Sequence, residues 1–304
     1  DYLPDQGIVS VKNMNFSGVG THYYLENLPF LMDTVSEYYY DEEIDRLFIR
    51  LEGDKDPNTT TIEVATRSEL VKINNRHDIE ISGLTFGMTT SSQVRYGYAD
   101  PRSTIRLEGS CRDITIRNNK FVYVNAGVSG KNTSNPLLSS TGINVTDNEF
   151  HVVDDLAITF ASGGDVYYDE VNILRNSIYD NGGRQRSRWY SSIPAILGNL
   201  VTGEVAGNVI DLSWGNGINM FWGKSGKTGP NVSIDFIRGF IHHNKASNTL
   251  IGTNDYGGIE SWQGGPAYTY NNISHNAMGY KHFRNQSIGY AYYFDGAFKQ
   301  IVFN

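Results

Sequence analysis

The chain of 304 residues is long enough for one large domain or two smaller ones, and none of its apolar runs approaches the roughly 18 residues that a membrane span needs. Its net charge of -8, with no Lys/Arg-rich block, argues against nucleic acid as a partner. The single cysteine, Cys111, excludes an internal disulfide and a Cys-based zinc site and reads as a small buried hydrophobe.

From the N-terminus, Asp1 reads as the start of a mature or excised chain. The stretch Tyr38-Tyr-Tyr-Asp41 followed by Arg46-Leu-Phe-Ile-Arg-Leu51 predicts a hairpin, the segment from Gly53 to Pro57 a turn, and Ile62-Glu-Val64 a further short strand. Residues 1–69 therefore form a small β-rich lead-in. From about residue 70 the pattern changes, with Ile79-Glu-Ile-Ser-Gly-Leu-Thr-Phe86 as its opening phrase. A short alternating strand, then Asn, then an apolar residue recurs. It runs from Ile114 to Asn119 and Phe121, from Ile143 to Asn148 and Phe150, and from Val171 to Asn176 and Ile178. Weaker copies carry Asn208, Asn244 and Asn272, and Ile301-Val-Phe-Asn304 looks like half of another. The asparagines step by 28 to 36 residues. Between copies lies a second strand that opens with a small residue before an apolar one: Ala157-Ile158, Ala195-Ile196, Gly217-Ile218, Gly258-Ile259 and Ala291-Tyr292.

Two or three short strands per repeat of this length, with almost no helical periodicity, predict an all-β fold: a right-handed parallel β-helix over 70–304, expected to continue beyond the half-rung at the end. The repeated asparagines are assigned a structural role, each taking a left-handed turn conformation and hydrogen-bonding its copies in adjacent rungs. Most of the 20 tyrosines and 4 tryptophans fill the core in this reading, and the remainder are stacking platforms for sugar rings.

Aligning the second strands on their small residue puts Thr159, Leu197, Asn219, Glu260 and Tyr293 in one outward row, with Asn199, Phe221, Trp262 and Asp295 two positions on. Glu260 and Asp295 then project from one face of neighbouring rungs, with α-carbons on the order of 8 Å apart. Asp255 lies on the turn before the Glu260 strand. Carboxyl groups at such a separation can flank a glycosidic bond as acid and base or nucleophile, and mutual repulsion keeps one of them protonated. Trp222 and Trp262 are expected to stack on sugar. The insertion holding Arg184, Arg186, Arg188, Trp189 and Tyr190 could overhang the groove, with Arg188 and Tyr190 binding substrate. His275 is a further sugar-binding candidate. Asp154-Asp155 reads as a turn, Asp211 as ambiguous, and of His242-His243 one at most faces outward. No spacing resembles a dedicated metal site.

With those residues laid out, the chain resembles the right-handed β-helix glycoside hydrolases, nearest to glycoside hydrolase family 141 and related bacterial proteins. The resemblance rests on Leu25-Glu-Asn-Leu-Pro-Phe30 with Ser36 to Asp41 and Arg46 to Ile49, on Ile193-Pro-Ala-Ile196 and Asp255-Tyr-Gly-Gly-Ile259, and on Tyr292-Tyr-Phe-Asp-Gly296. It implies a secreted or periplasmic bacterial glycosidase that degrades a plant or algal polysaccharide without a cofactor, with Asp255 and Asp295 as the catalytic pair and Glu260 assisting. Two alternatives stay open. One is a polysaccharide lyase on the same scaffold, using Ca2+ or the Arg184 to Arg188 loop to neutralise a uronate. The other is a non-catalytic carbohydrate-binding or adhesion solenoid. The oligomeric state is left open, and no membrane partner is expected.

Overall fold

The computed structural model describes residues 2–3, 8–9, 28–90, 102–130, 140–160, 168–183, 193–222, 239–280, 287–297 and 300–303. Two compact units separate near residue 64. In the first, Tyr38–Asp41 and Arg46–Ile49 pair antiparallel as predicted, with the Tyr39 and Phe48 rings 6.1 Å apart across the hairpin. The predicted strand at Ile62-Glu-Val64 does not form, and Val64 is 59 % exposed. Two apolar residues in alternation do not make a strand without a partner edge to bond.

The second unit is a parallel β-solenoid with three strands per rung. Among the described residues the first sheet has eight strands, including Ile158–Phe160, Ile196–Leu200, Ile218–Trp222, Tyr256–Gly264 and Gly289–Ala297. The second also has eight, including Arg112–Arg117, Ser140–Thr146, Tyr168–Leu174 and Gly239–His242. The third has seven, including Lys120–Val124, Glu149–Val153, Ser177–Asn181, Val209–Ser213, Lys245–Thr249 and Ile273–Ala277. Among the described residues no helix is long and apolar enough to cross a membrane.

Strand alternation sends one residue set inward, so each rung stacks like on like. Ile158, Ile196, Ile218 and Ile259 pair in register on the first sheet, and Ile114, Ile143 and Val171 on the second. On the third sheet Phe86, Phe121 and Phe150 form a column with ring centroids 5.2 and 4.5 Å apart. All are buried in one core, where each such side chain contributes about 1.5–3 kcal/mol of transfer free energy. The small residue before the first-sheet strand also has a physical cause. A β-carbon on Gly127 would lie 2.3 Å from the Ala157 carbonyl oxygen and 2.4 Å from the Phe150 ring. At this corner between the third and first sheets, position 127 has room only for glycine.

The asparagines form a ladder. Asn119, Asn148, Asn176, Asn208, Asn244 and Asn272 are all buried. Each Oδ1 from Asn148 onward accepts from both the backbone N–H and the Nδ2 of the preceding member at 2.9–3.1 Å. Each Nδ2 also donates to a carbonyl of the preceding rung, as from Asn176 to Val145 at 2.9 Å. The left-handed residue, however, is the one before: Asn118, Asp147, Arg175, Gly207, His243 and Asn271 have φ of 50–65°. The expectation for the turn thus holds one residue upstream, because a side chain lying along the corner needs the sharp bend before it. Asn304, read as the next member, lies outside the described residues.

The outward aromatics described on the second sheet are mostly not free platforms. His242 stacks on Tyr270 at 4.7 Å and Tyr270 on Phe303 at 5.0 Å, with Phe240 on Tyr268 at 5.6 Å alongside. In-register stacking between rungs occupies the ring faces that a sugar would need.

Candidate active site

The site lies on the outward face of the first sheet. Glu260 pairs across the ladder with Asn219 on one side and Tyr293 on the other, and Trp262 pairs with Asp295. Asp295 therefore sits one rung on and two residues along from Glu260. Asp255 stands at the entrance to the Tyr256–Gly264 strand with φ of 64°. Its turn is tied to the next rung: the Asp255 N–H donates to the Ile288 carbonyl at 2.8 Å, and Asn254 Oδ1 accepts from the Ile288 N–H at 2.6 Å.

The three acids differ in environment. Asp255 and Asp295 are exposed. Glu260 is only 2 % exposed. Its Oε2 accepts from the Gly257 N–H at 3.0 Å and from Asn216 Nδ2 at 2.7 Å, and the same Asn216 Nδ2 donates to the Gly257 carbonyl at 2.9 Å. Burial pushes the Glu260 carboxyl up to about 7, the two donors to Oε2 oppose that rise, and the charges of Asp295 and Asp255 add to it. Among the described residues both hydrogen bonds to the Glu260 carboxyl go to Oε2. Asn219 is buried beside it, and among the described residues its Oδ1 has no hydrogen-bond partner. Burial, then Asp295 and Asp255, also raises the Tyr293 phenol, whose ring stacks 4.8 Å from that of Tyr290.

An apolar ledge adjoins the acids. Trp262 meets Phe221 edge to face at 5.2 Å, and both pack with Leu156, Ile193 and Leu197 in a cluster separate from the solenoid core. A carboxyl group held neutral near an apolar aromatic surface can transfer a proton to an oxygen at neutral pH. Searches against family models, curated proteins and solved structures give no match. The resemblance to family 141 therefore rests on the residues quoted for it.

The other candidates fall elsewhere. The ring described against Trp262 is that of Phe221; the Trp222 side chain lies outside the described residues. Arg188 and Tyr190 lie outside the described residues. His275 is exposed on the third sheet, whereas the three acids belong to the first. Asp154 and Asp155 form a corner, their N–H groups donating to the Val124 and Asn125 carbonyls. His242 Nε2 lies 2.7 Å from Glu204 Oε1 on the second sheet. Among the described residues no group of three or more His, Cys, Asp or Glu side chains is arranged to hold a metal ion. Asn216 was not legible as a site residue. It lies 44 positions before Glu260, and nothing in its neighbours marks it as a carboxylate clamp.

Proposed function

We propose that this protein hydrolyses glycosidic bonds, with Glu260 as proton donor to the leaving oxygen. Asp255 and Asp295 supply the opposing carboxylate, which activates water or attacks the sugar. The observation that carries this reading is the contrast among the three acids: a buried carboxyl raised to about 7, under the charges of two exposed carboxyls, Asp295 on the next rung and Asp255 on the turn before the strand. It revises the roles suggested by the resemblance, since Glu260 rather than an aspartate is the group kept neutral. The Trp262 ledge supports a sugar ring as the reacting partner.

The test is a product profile against fucose-, xylose- and galactose-containing glycans, with Glu260→Gln, Asp255→Asn and Asp295→Asn measured beside the parent. Hydrolysis should fall by about 10²-fold or more in Glu260→Gln and in at least one aspartate variant, with the fold intact by circular dichroism. Full turnover in Glu260→Gln refutes the assignment. Products absorbing in the ultraviolet would mark a lyase instead. Binding without turnover, lost in Trp262→Ala but not in the acid variants, would mark a binding solenoid.

A further inference from the structure

A second groove runs along the outside of the third sheet, with a cavity of about 500 Å³. Two outward rows line it. In one, Asp211, Ser247 and His275 are direct ladder partners on three successive rungs. In the other, Val209, Lys245 and Ile273 occupy the same three rungs. At a rung spacing of about 4.8 Å the outer members of each row stand roughly 10 Å apart, about two pyranose widths.

The chemistry of the groove is mixed in a specific way. Val209 and Ile273 are exposed and offer aliphatic walls on either side of Lys245. Asp211 Oδ1 accepts from Asn248 Nδ2 at 2.7 Å, and Asn248 Oδ1 in turn accepts from Asn276 Nδ2 at 2.6 Å, so the acid is oriented along the rungs. Ser247, the smallest side chain in its row, forms the floor. It is 8 % exposed, and among the described residues its enclosed Oγ has no hydrogen-bond partner. One rung earlier in the same row stands Tyr179, which pairs with Asp211 and is 45 % exposed, an aromatic face beside the polar floor.

We infer that this groove is a saccharide-binding site, distinct from the acid cluster, that takes one or two uncharged sugar units. Ring C–H groups would lie on Val209, Ile273 and Tyr179, and ring hydroxyls would reach Asp211 and His275. The opposed charges of Asp211 and Lys245 leave no net attraction for an anionic sugar. A site of this kind holds a polymer against the solenoid while another segment is processed, and it binds whether or not the acid cluster is catalytic.

The test is saturation-transfer NMR on the full chain, titrating methyl β-xyloside, methyl β-galactoside, methyl α-fucoside and methyl β-glucuronide. At least one neutral glycoside should bind, and its affinity should fall at least fivefold in Asp211→Ala and in Tyr179→Ala. The exposed variants Lys245→Ala and His275→Ala should weaken it as well, and they carry the test if the first two misfold. Asp295→Asn and Trp262→Ala should leave this affinity unchanged. Absence of neutral-glycoside binding, tighter binding of the glucuronide, or loss of binding in the acid-cluster variants alone would each overturn the inference.

Discussion

Glu260 makes stability depend on pH in a direction opposite to that of most carboxylates. Its native carboxyl rises from the ordinary 4.5 to about 7. Between those values the folded protein holds a proton that the unfolded chain has released, so stability falls as pH rises through the window and levels off above it. At about 1.4 kcal/mol per pH unit, the loss amounts to roughly 3 kcal/mol. Glu260→Gln keeps the size of the side chain and an oxygen to accept from Gly257 and Asn216, and it cannot ionise. Urea unfolding at pH 4.5 should therefore find the two proteins within about 1 kcal/mol, because the parent is neutral there too. At pH 8.5 the variant should be the more stable by about 3 kcal/mol, the difference opening between pH 5 and 7. Parallel stability curves for the two proteins across this range would show that Glu260 ionises without cost, and the role of neutral acid would fall with it.

Other consequences follow from the ladder, the surface and the thiol. Asn176→Ala should lower stability by about 3–5 kcal/mol in chemical denaturation, because it strips partners from the Asn148 N–H and Nδ2, the Val145 carbonyl and Asn208 Oδ1. A loss below 1 kcal/mol would mean that the ladder follows the fold rather than holding it. Arg175→Ala should cost less than about 1 kcal/mol despite the 2.7 Å contact of Arg175 Nε with Asp147, since both side chains are exposed and the pair is screened by salt. The Cys111 thiol, raised by burial, should not react with Ellman's reagent in the native protein at pH 8 and should react at once in urea. Fast native labelling would contradict the burial.

The solenoid was legible because its signals are local and repeated. Alternation gave the strands, the small-apolar dipeptides gave the corners of the first sheet, and together they gave the register that pairs Glu260 with Tyr293 and Trp262 with Asp295. The repeat also marked Asn119, Asn148, Asn176 and Asn208 as structural. Local signals did not extend to the Ile62–Val64 segment, where strand formation needs a partner that the sequence does not name. Nor did they show that the left-handed residue precedes each ladder asparagine, which the path of the corner decides.

The candidate site divides in the same way. Sequence alone determined that Glu260 and Asp295 would project from one outward face, because side-chain direction follows from period and register, and that Asp255 would lie on the turn just before the Glu260 strand. It could not determine which acid is enclosed. That depends on Asn216 reaching Glu260 from 44 positions upstream and on the Leu156, Ile193 and Phe221 cluster beside Trp262. It likewise could not place His275 with Asp211 and Ser247 on a different sheet. Register sets direction, but desolvation is a sum over everything that packs nearby, and only the tertiary structure supplies that sum.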